Sequence, residues 1–468
     1  MVFSSITFLF YFLPIFLIAY FLTPFKNTVL LVASLLFYAW GEVGYTLLLL
    51  VSIGFNYLFG ILIDKNSDNK KAQKQFLGLG ITINLLLIAY YKYFNFFTKS
   101  ILDIKMDSEV HLPLGISFFT FQAISYLFDV YRKEAKVEKN VFNLALYISM
   151  FPQLIAGPIV RFKTVAVQIN HRISTLDNIS TGVKIFIVGL AQKALIANTV
   201  AVPADAIFSL NESVLTTATA WLGAFCYSFQ IYFDFAGYSN MAIGLGLIMG
   251  FSFPKNFNYP YISQSITEFW RRWHMSLSSW FRDYLYIPLG GNRVSAKRTY
   301  FNLMTVFLLC GLWHGAAWTF IIWGGYHGLF LLIERHSVGQ LLNRLWRPLR
   351  HLYTLFVVII GWVIFRSDNL EHLSYFCQAL FGFGNGETVV YTYYSYLSNS
   401  LISILGFAVV FSLPLFICFS DKLQGFKQNA TKLLPLLIVF EGFYISIFLL
   451  SLLNIASGSY NPFIYFRF

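Results

Sequence analysis

The chain has 468 residues, of which 57% are hydrophobic and only 12% are charged. Soluble domains carry about 25% charged residues, so this composition predicts an integral membrane protein and excludes an ordinary soluble enzyme. The formal charge of +12 does not indicate nucleic-acid binding, because the cations stand in short loops between apolar stretches, where they orient a membrane protein. Membrane lipids are therefore expected partners, and nucleic acid is not.

The order of apolar stretches predicts an all-α, polytopic fold. Met1–Leu22 has no basic leader and no small-residue cleavage site, so we expect a retained first span. Val29–Trp40 and Val141–Ala156 are too short or too interrupted to cross alone and suit interfacial or re-entrant helices. Stretches of spanning length follow the first span at residues 42–63, 78–97, 114–131, 179–200, 217–251, 299–316, 317–335, 351–366, 398–419 and 433–455. We expect about ten to twelve crossings in a single domain, residues 1–468.

The loop charges predict the orientation of these spans. Loops rich in lysine or arginine face the cytoplasm under the positive-inside rule, and the acidic loops between them should face the other side. Both termini are then expected to be non-cytoplasmic. The basic loops lie at residues 65–74, 132–139, 161–172, 293–298, 335–350 and 422–432.

The segment Gly311-Leu-Trp-His-Gly-Ala-Ala-Trp318 places an ionisable side chain, His314, within an apolar stretch. An imidazole in hydrocarbon is costly unless it faces a protein interior or a wet cavity, so an intramembrane histidine indicates a functional site. Gly311 and Gly315 allow a substrate or another backbone to approach closely. His314 is the first candidate for the chemical centre.

A second segment, Glu268–Tyr286, has the pattern of one amphipathic helix. At 100° per residue, tryptophans share one face, Arg271, Ser278 and Arg282 share another, and His274 falls on the border. Such a helix lies at the membrane surface with its arginines on lipid phosphates, or it offers guanidinium groups to a phosphate-bearing acyl donor. The sequence leaves both interpretations open.

These segments carry a resemblance to a known family. Phe269–Asn292, Gly311–Trp318, the start Met1–Ser5 and the end Asn461–Phe468 resemble the bacterial membrane-bound O-acyltransferases, and within that family the inner-membrane subunits of alginate O-acetylation systems. The resemblance implies that an acetyl or other short acyl group passes from a cytoplasmic thioester to an extracytoplasmic polysaccharide. It also implies an extracytoplasmic partner protein that performs the final transfer, and a bacterial inner-membrane location.

The resemblance assigns the family's essential histidine to His314 and its second polar position to His274. A neutral histidine suits the proton transfer that a hydroxyl attack on a thioester needs, so His314 fits a general base, or else a nucleophile that carries the acyl group. His274 would orient the thioester carbonyl or polarise it. We expect a central funnel that admits acetyl-CoA or an acyl-carrier thioester, with no permanently bound cofactor and no metal. Its donor-binding residues would be Arg271, Arg272, Arg282, Ser278 and Trp313.

Other residues have simpler explanations. His327 lies in an apolar stretch and supports the site, or it is a hydrogen-bonded packing residue. Cys310 is interpreted as a small buried hydrophobe rather than an acyl carrier, and the four cysteines show neither disulfide nor metal spacing.

Asp234 would shape the cavity or pair with an arginine. A structural role is favoured for Gln153, Pro158 and Arg161, and Trp313, Trp318 and Trp323 line the channel or simply pack.

Two functions from other classes compete with the transferase. In a transporter or flippase, His314, His274 and Asp234 would form a proton or substrate pathway. The sequence shows no repeated charged relay and no paired, interrupted halves. A non-catalytic scaffold for extracytoplasmic enzymes would leave His314 without a role.

Overall fold

The computed structural model describes residues 1–104, 108–384, 393–415, 430–458 and 460–464. Within these ranges the protein is helical and contains no strand, which confirms the predicted all-α class. Cys418 and the end of the Asn461–Phe468 segment lie outside the described residues. The chain divides into two compact units, Met1–Phe186 with Tyr238–Lys255, and Ile187–Gly237 with Asn256–Phe468. The single domain stays a prediction.

Five helical stretches in the described part of the chain are long and apolar enough to cross a membrane. They are Val43–Lys65, Lys70–Ser100, Leu176–Phe208, Arg347–Arg366 and Ile438–Ala456. Large apolar side chains such as Leu47 and Leu58 are exposed on such helices, as expected where lipid is the solvent. The chain is therefore a multi-pass membrane protein, and the figure of ten to twelve crossings stays a prediction.

Among its described residues, the first unit contains nine complete α-helices and parts of two others. Its aromatic core joins the N-terminal segment to distant residues, since Phe3 stacks on Tyr238 with ring centroids 4.3 Å apart and lies edge-on to Phe151. The complete helices are α1 (Leu13–Leu22), α2 (Lys26–Ala39), α3 (Val43–Lys65), α4 (Lys70–Ile88), α5 (Phe94–Ser100), α6 (Ile116–Tyr131), α7 (Val141–Ser149), α8 (Phe151–Leu154) and α9 (Phe162–Asn170).

The stretch Val141–Ala156 is broken, as predicted. Helix α7 ends at Ser149, and the four-residue α8 follows with a proline in its first turn. The Gln153 amide nitrogen donates a hydrogen bond to the Tyr147 carbonyl oxygen at 2.5 Å, and residues 143–160 are buried. These contacts support the structural role favoured for this segment.

The remaining helices lie in the second unit, except that α10 and α12 contribute residues to both units. π-helical turns follow α10, α14 and α16, at Gln192–Ala197, Arg282–Tyr286 and Glu334–Val338. The helices are α10 (Leu176–Ala191), α11 (Asn198–Phe208), α12 (Thr217–Ile248), α13 (Ile266–Arg272), α14 (Met275–Phe281), α15 (Ala296–His314), α16 (Trp318–Ile333), α17 (Gly339–Arg344), α18 (Arg347–Arg366), α19 (Leu370–Leu380), α20 (Asn399–Phe411) and α21 (Ala430–Ala456).

Helices α15 and α16 form a tightly packed antiparallel hairpin. A Cβ atom at Gly311 would collide with the Phe320 carbonyl oxygen, and one at Gly324 would collide with the Phe307 carbonyl oxygen. Glycines at such contacts allow two helix backbones to approach closely. Gly311 and Gly315 thus admit a neighbouring chain segment, because a Cβ at Gly315 would strike the Phe320 ring.

This packing gives a matched test. Gly324→Ala should destabilise the protein by about 1–3 kcal/mol, because the added methyl group meets backbone that cannot rotate away. Gly325→Ala is the control, since its Cβ would meet only the Leu308 Cδ2 atom at 3.7 Å. Both changes carry the same gain in helix propensity, so the difference in thermal unfolding temperature in detergent isolates the collision. Equal unfolding temperatures would contradict the proposed packing.

Candidate functional site

His314 is the last residue of α15, at the turn of the hairpin. The sequence placed it inside a spanning helix, whereas the helix ends at this residue and Gly315 continues in an extended conformation. The side chain is only 7% exposed. His314 is therefore buried at the connection between the two helices of the hairpin, α15 and α16.

His314 belongs to a row of buried histidine and tryptophan rings. The His274 ring centroid lies 6.0 Å from that of Trp313, which lies 4.8 Å from that of His314. The row continues through Trp323, 5.1 Å from His314, to His327, 5.2 Å from Trp323. We name these five residues the histidine–tryptophan row. All five are buried within the second unit, so the two predicted histidines belong to one site.

The predicted continuous helix over Glu268–Tyr286 is wrong. Helix α13 ends at Arg272, Trp273 is extended, and His274 adopts a left-handed backbone conformation with φ 45° and ψ 53° before α14 begins. A positive φ is uncommon for a residue other than glycine, and such strain collects at functional sites. The helical wheel still identified the buried side, because every aromatic residue it placed there is buried.

Hydrogen bonds from neighbouring elements hold this break. The Glu334 carboxylate, after α16, accepts bonds from the backbone nitrogens of Ile266 (2.6 Å) and Thr267 (2.9 Å) at the start of α13. The Ser278 hydroxyl donates to the Trp270 carbonyl oxygen at 3.3 Å across the break. The position of His274 therefore depends on α13, α14 and the end of α16 together.

The sequence analysis did not identify Asn256, which contacts His274 directly. Its Oδ1 atom lies 3.0 Å from His274 Nδ1 and accepts a hydrogen bond from the Ser276 hydroxyl at 2.9 Å. Burial lowers the pKa of His274 to about 3, so its imidazole is neutral near pH 7. Asn256 lies in a loop eighteen residues before the histidine, and no periodic pattern links the two positions.

The predicted donor-binding residues differ in their surroundings. Arg272 bonds to Glu268 at 2.9 Å, and Arg282 bonds to its neighbour Asp283 at 2.6 Å. Arg271 is exposed and makes no hydrogen bond or ion pair within the described ranges. Arg271 is therefore the arginine whose guanidinium is available to a phosphate. The hydroxyl of Ser278 is occupied by the α13 backbone, and Trp313 belongs to the histidine–tryptophan row.

His327 is more closely tied to the site than the sequence suggested. It is 1% exposed, and neither ring nitrogen has a hydrogen-bond partner among the described residues. The expected hydrogen-bonded packing role is therefore not found. Gly361 on α18 makes room for the ring, because a Cβ there would lie 2.6 Å from His327 Nε2.

Two further expectations, for the tryptophans and for Cys310, have plain outcomes. Trp323 is buried in the row, whereas Trp318 is largely exposed and does not line the site. Cys310 is buried with a free thiol, in keeping with its interpretation as a small hydrophobe. No group of three histidine, cysteine, aspartate or glutamate side chains suited to a metal occurs in the ranges that the structure describes.

Asp234 pairs with a lysine and not with an arginine. Its Oδ1 atom lies 2.6 Å from Lys193 Nζ, and the two side chains are 3% and 2% exposed. Asp234 Oδ2 accepts a hydrogen bond from the Ile464 backbone nitrogen at 2.9 Å, and Lys193 Nζ donates to the Pro462 carbonyl oxygen. The pair therefore anchors residues 462–464, which we call the C-terminal segment. Among the described residues, no observed bond joins the pair to the histidine–tryptophan row.

Comparisons with known proteins agree with the predicted class. The model of MBOAT, the membrane-bound O-acyltransferase family, matches residues 105–376, which include all three histidines of the row. The probable alginate O-acetylase AlgI of Pseudomonas aeruginosa is 48% identical over 397 residues, which are 83% of this chain and 76% of that protein. The protein of the same name from Pseudomonas putida is 43% identical over 100% of both chains.

A further relative is named for a different polysaccharide, peptidoglycan. The peptidoglycan O-acetyltransferase of Helicobacter pylori is 40% identical over 79% of this chain and 78% of that protein. The predicted family and enzyme class are confirmed, and neither the transporter nor the scaffold gains support. The chain belongs to the membrane-bound O-acyltransferase family and is an O-acyltransferase.

Proposed function

We propose that the protein takes an acetyl group from cytoplasmic acetyl-CoA and moves it across the bacterial inner membrane for O-acetylation of an extracytoplasmic polysaccharide such as alginate. The observation that carries this proposal is the histidine–tryptophan row, which joins His274 and His314 through Trp313 in one buried site. The names of the relatives, alginate O-acetylase and peptidoglycan O-acetyltransferase, support a glycan as the final acceptor.

The chemistry moves one proton from the acceptor hydroxyl to the departing thiolate, in two transfer steps. An acceptor hydroxyl attacks the thioester carbonyl carbon, the new C–O bond forms, and the C–S bond breaks. His314 takes the hydroxyl proton and returns it to the departing thiolate, so the products are an ester and a free thiol. In the alternative, the His314 ring attacks the carbonyl and holds the acyl group before the hydroxyl takes it. His274 acts beside His314 on the same reacting groups.

The length of α15 separates His314 from the predicted point of donor entry. The helix starts at Ala296, within the basic loop at residues 293–298, which the charge pattern assigns to the cytoplasm. Eighteen helical steps of about 1.5 Å carry the chain roughly 27 Å to His314. A donor entering from the cytoplasm would therefore meet His314 far from its point of entry.

The exposed guanidinium of Arg271 suits a phosphate group of the donor. Arg272 and Arg282 keep their carboxylate partners and would reach the donor only through their remaining guanidinium N–H groups. Ser278 supports the α13–α14 break beside them. Trp313 would pack against the donor's uncharged arm. The released acetyl group would pass to an extracytoplasmic transfer protein that acts on the polysaccharide.

Membrane vesicles of opposite orientation test this proposal. Acetyl-CoA with a labelled acetyl group, which does not cross membranes, is added to inside-out and to right-side-out vesicles that contain the protein. Only inside-out vesicles should consume the donor and deposit label on luminal glycan or protein, and His314→Ala vesicles should do neither. Label that appears on the donor's own side, or equal donor consumption in both orientations, would contradict transfer across the membrane. A thioester of an acyl-carrier protein in place of acetyl-CoA identifies the preferred donor.

A further inference from the structure

Asn256 makes a dense set of hydrogen bonds to the strained turn at His274. Its backbone oxygen accepts a bond from the Met275 nitrogen at 2.9 Å. Its side-chain Oδ1 accepts from the Ser276 backbone nitrogen at 3.3 Å and from the Ser276 hydroxyl at 2.9 Å, and it lies 3.0 Å from His274 Nδ1. One buried asparagine therefore contacts three consecutive residues, 274–276.

These bonds fix which way the Asn256 amide points. The oxygen and nitrogen of an amide are distinguished only by their hydrogen-bond partners. The Ser276 backbone nitrogen can only donate, so the atom that faces it must be the acceptor oxygen. The same oxygen faces His274 Nδ1, and two acceptors cannot share a hydrogen bond. His274 Nδ1 must therefore carry a proton.

The position of this proton determines the chemistry of the other ring nitrogen. A neutral imidazole has one N–H group and one acceptor nitrogen, so His274 Nε2 carries the lone pair. Nε2 is buried and has no hydrogen-bond partner among the described residues. Leaving a buried acceptor unsatisfied is unfavourable, so Nε2 is poised to accept a hydrogen bond from a donor group of the substrate.

We propose that Asn256 is a positioning residue that holds His274 in the Nδ1–H tautomer, so that Nε2 accepts a hydrogen bond from the attacking hydroxyl and does not donate one to the thioester carbonyl. This inference rests on the proposed role of the histidine–tryptophan row. It replaces the carbonyl-polarising role considered for His274, because a neutral ring with its proton on Nδ1 has no N–H at Nε2. His274 then orients the hydroxyl whose proton His314 takes.

Three variants separate this role from general packing. Asn256→Asp keeps an acceptor for Nδ1–H and for both Ser276 donors, whereas Asn256→Leu has a similar size and no acceptor. Asn258→Leu is the matched control, because Asn258 is an exposed amide in the same loop. All three are compared with wild type for protein abundance and for thermal stability in detergent.

The first measurement reads the tautomer without any reaction. Protein with ¹⁵N-labelled histidine is examined by NMR, and the His274 signals are assigned by their loss in His274→Gln. The ¹⁵N chemical shifts of protonated and unprotonated ring nitrogens are well separated. Wild type and Asn256→Asp should show a protonated Nδ1, and Asn256→Leu should show the proton on Nε2 or on both nitrogens in exchange. A protonated Nε2 in the wild type would overturn the proposal.

The second measurement is acyl-transfer kinetics. Asn256→Leu should lower kcat by roughly 10²-fold, the lower end of a general acid–base contribution, with KM for the donor unchanged. Asn256→Asp should retain most activity, and Asn258→Leu all of it. Wild-type kcat in Asn256→Leu would refute the assignment. Full activity of both His274→Gln and His314→Ala would instead refute the proposed function, and the tautomer result would stand independently.

Discussion

Replacing His314 by alanine should lower acyl transfer by about 10²–10⁴-fold, the usual contribution of a positioned acid–base group. The ring lies at the C-terminal end of α15 and contacts Trp313 and Trp323 in the row. His314→Gln should lose nearly as much activity, because an amide keeps polarity without accepting a proton at neutral pH. The measurement is the rate of thiol release and of ester formation by purified protein.

Two controls make the result specific. His336→Ala removes an exposed histidine of the same unit and should leave the rate unchanged. The unfolding temperature of each variant shows whether a lost activity reflects a lost fold. If His314→Ala turned over at the wild-type rate, His314 would be a packing residue.

The same variants distinguish a base from a nucleophile. When acetyl-CoA with a labelled acetyl group is mixed without an acceptor and quenched rapidly, a nucleophilic His314 would retain label on the protein. A general base would retain none, because the acyl group leaves the donor only when the hydroxyl attacks. His314→Ala gives the background for bound label, and His274→Gln shows whether any label belongs to the second histidine.

The sequence predicted most of the helices, because their apolar runs are long. The hairpin is such a case, because the predicted stretches 299–316 and 317–335 correspond to α15 (Ala296–His314) and α16 (Trp318–Ile333). The sequence could not predict the break at Trp273–His274. A continuous 3.6-residue pattern runs through this break. The Glu334 carboxylate, which accepts hydrogen bonds from the start of α13, lies 68 residues after Ile266 and 67 residues after Thr267.

The candidate site shows the same division between local and distant information. His314 stands out in sequence because an imidazole among apolar residues is expensive, and that signal is local. His327 gives the same local signal and stands four residues after Trp323 on α16, a spacing that brings the two side chains together. Only the structure shows that Gly361 of another helix makes room for the ring. Asn256 gives no local signal, because an asparagine in a loop is ordinary until its partner is known.

The largest stability effect is expected at Asp234. Asp234→Ala would leave the Lys193 ammonium buried without its carboxylate, and breaking such a pair costs about 3–5 kcal/mol. The same substitution removes the acceptor for the Ile464 backbone nitrogen, so the C-terminal segment should also detach. We expect a lower unfolding temperature in detergent and faster proteolysis near residues 460–464. Asp68→Ala, which removes an exposed acid of the first unit, is the control and should change neither.

A double substitution tests whether the charge itself is the cause. Lys193→Met with Asp234→Leu removes both charges and keeps apolar volume, and such replacements of buried pairs are often neutral or stabilising. The double variant should therefore recover most of the stability that Asp234→Ala loses. Its C-terminal segment should remain more sensitive to protease than in the wild type, because the acceptor for Ile464 is still missing. If the double variant were as unstable as Asp234→Ala, an unpaired lysine would not explain the loss, and the lost bond to the C-terminal segment would be its cause.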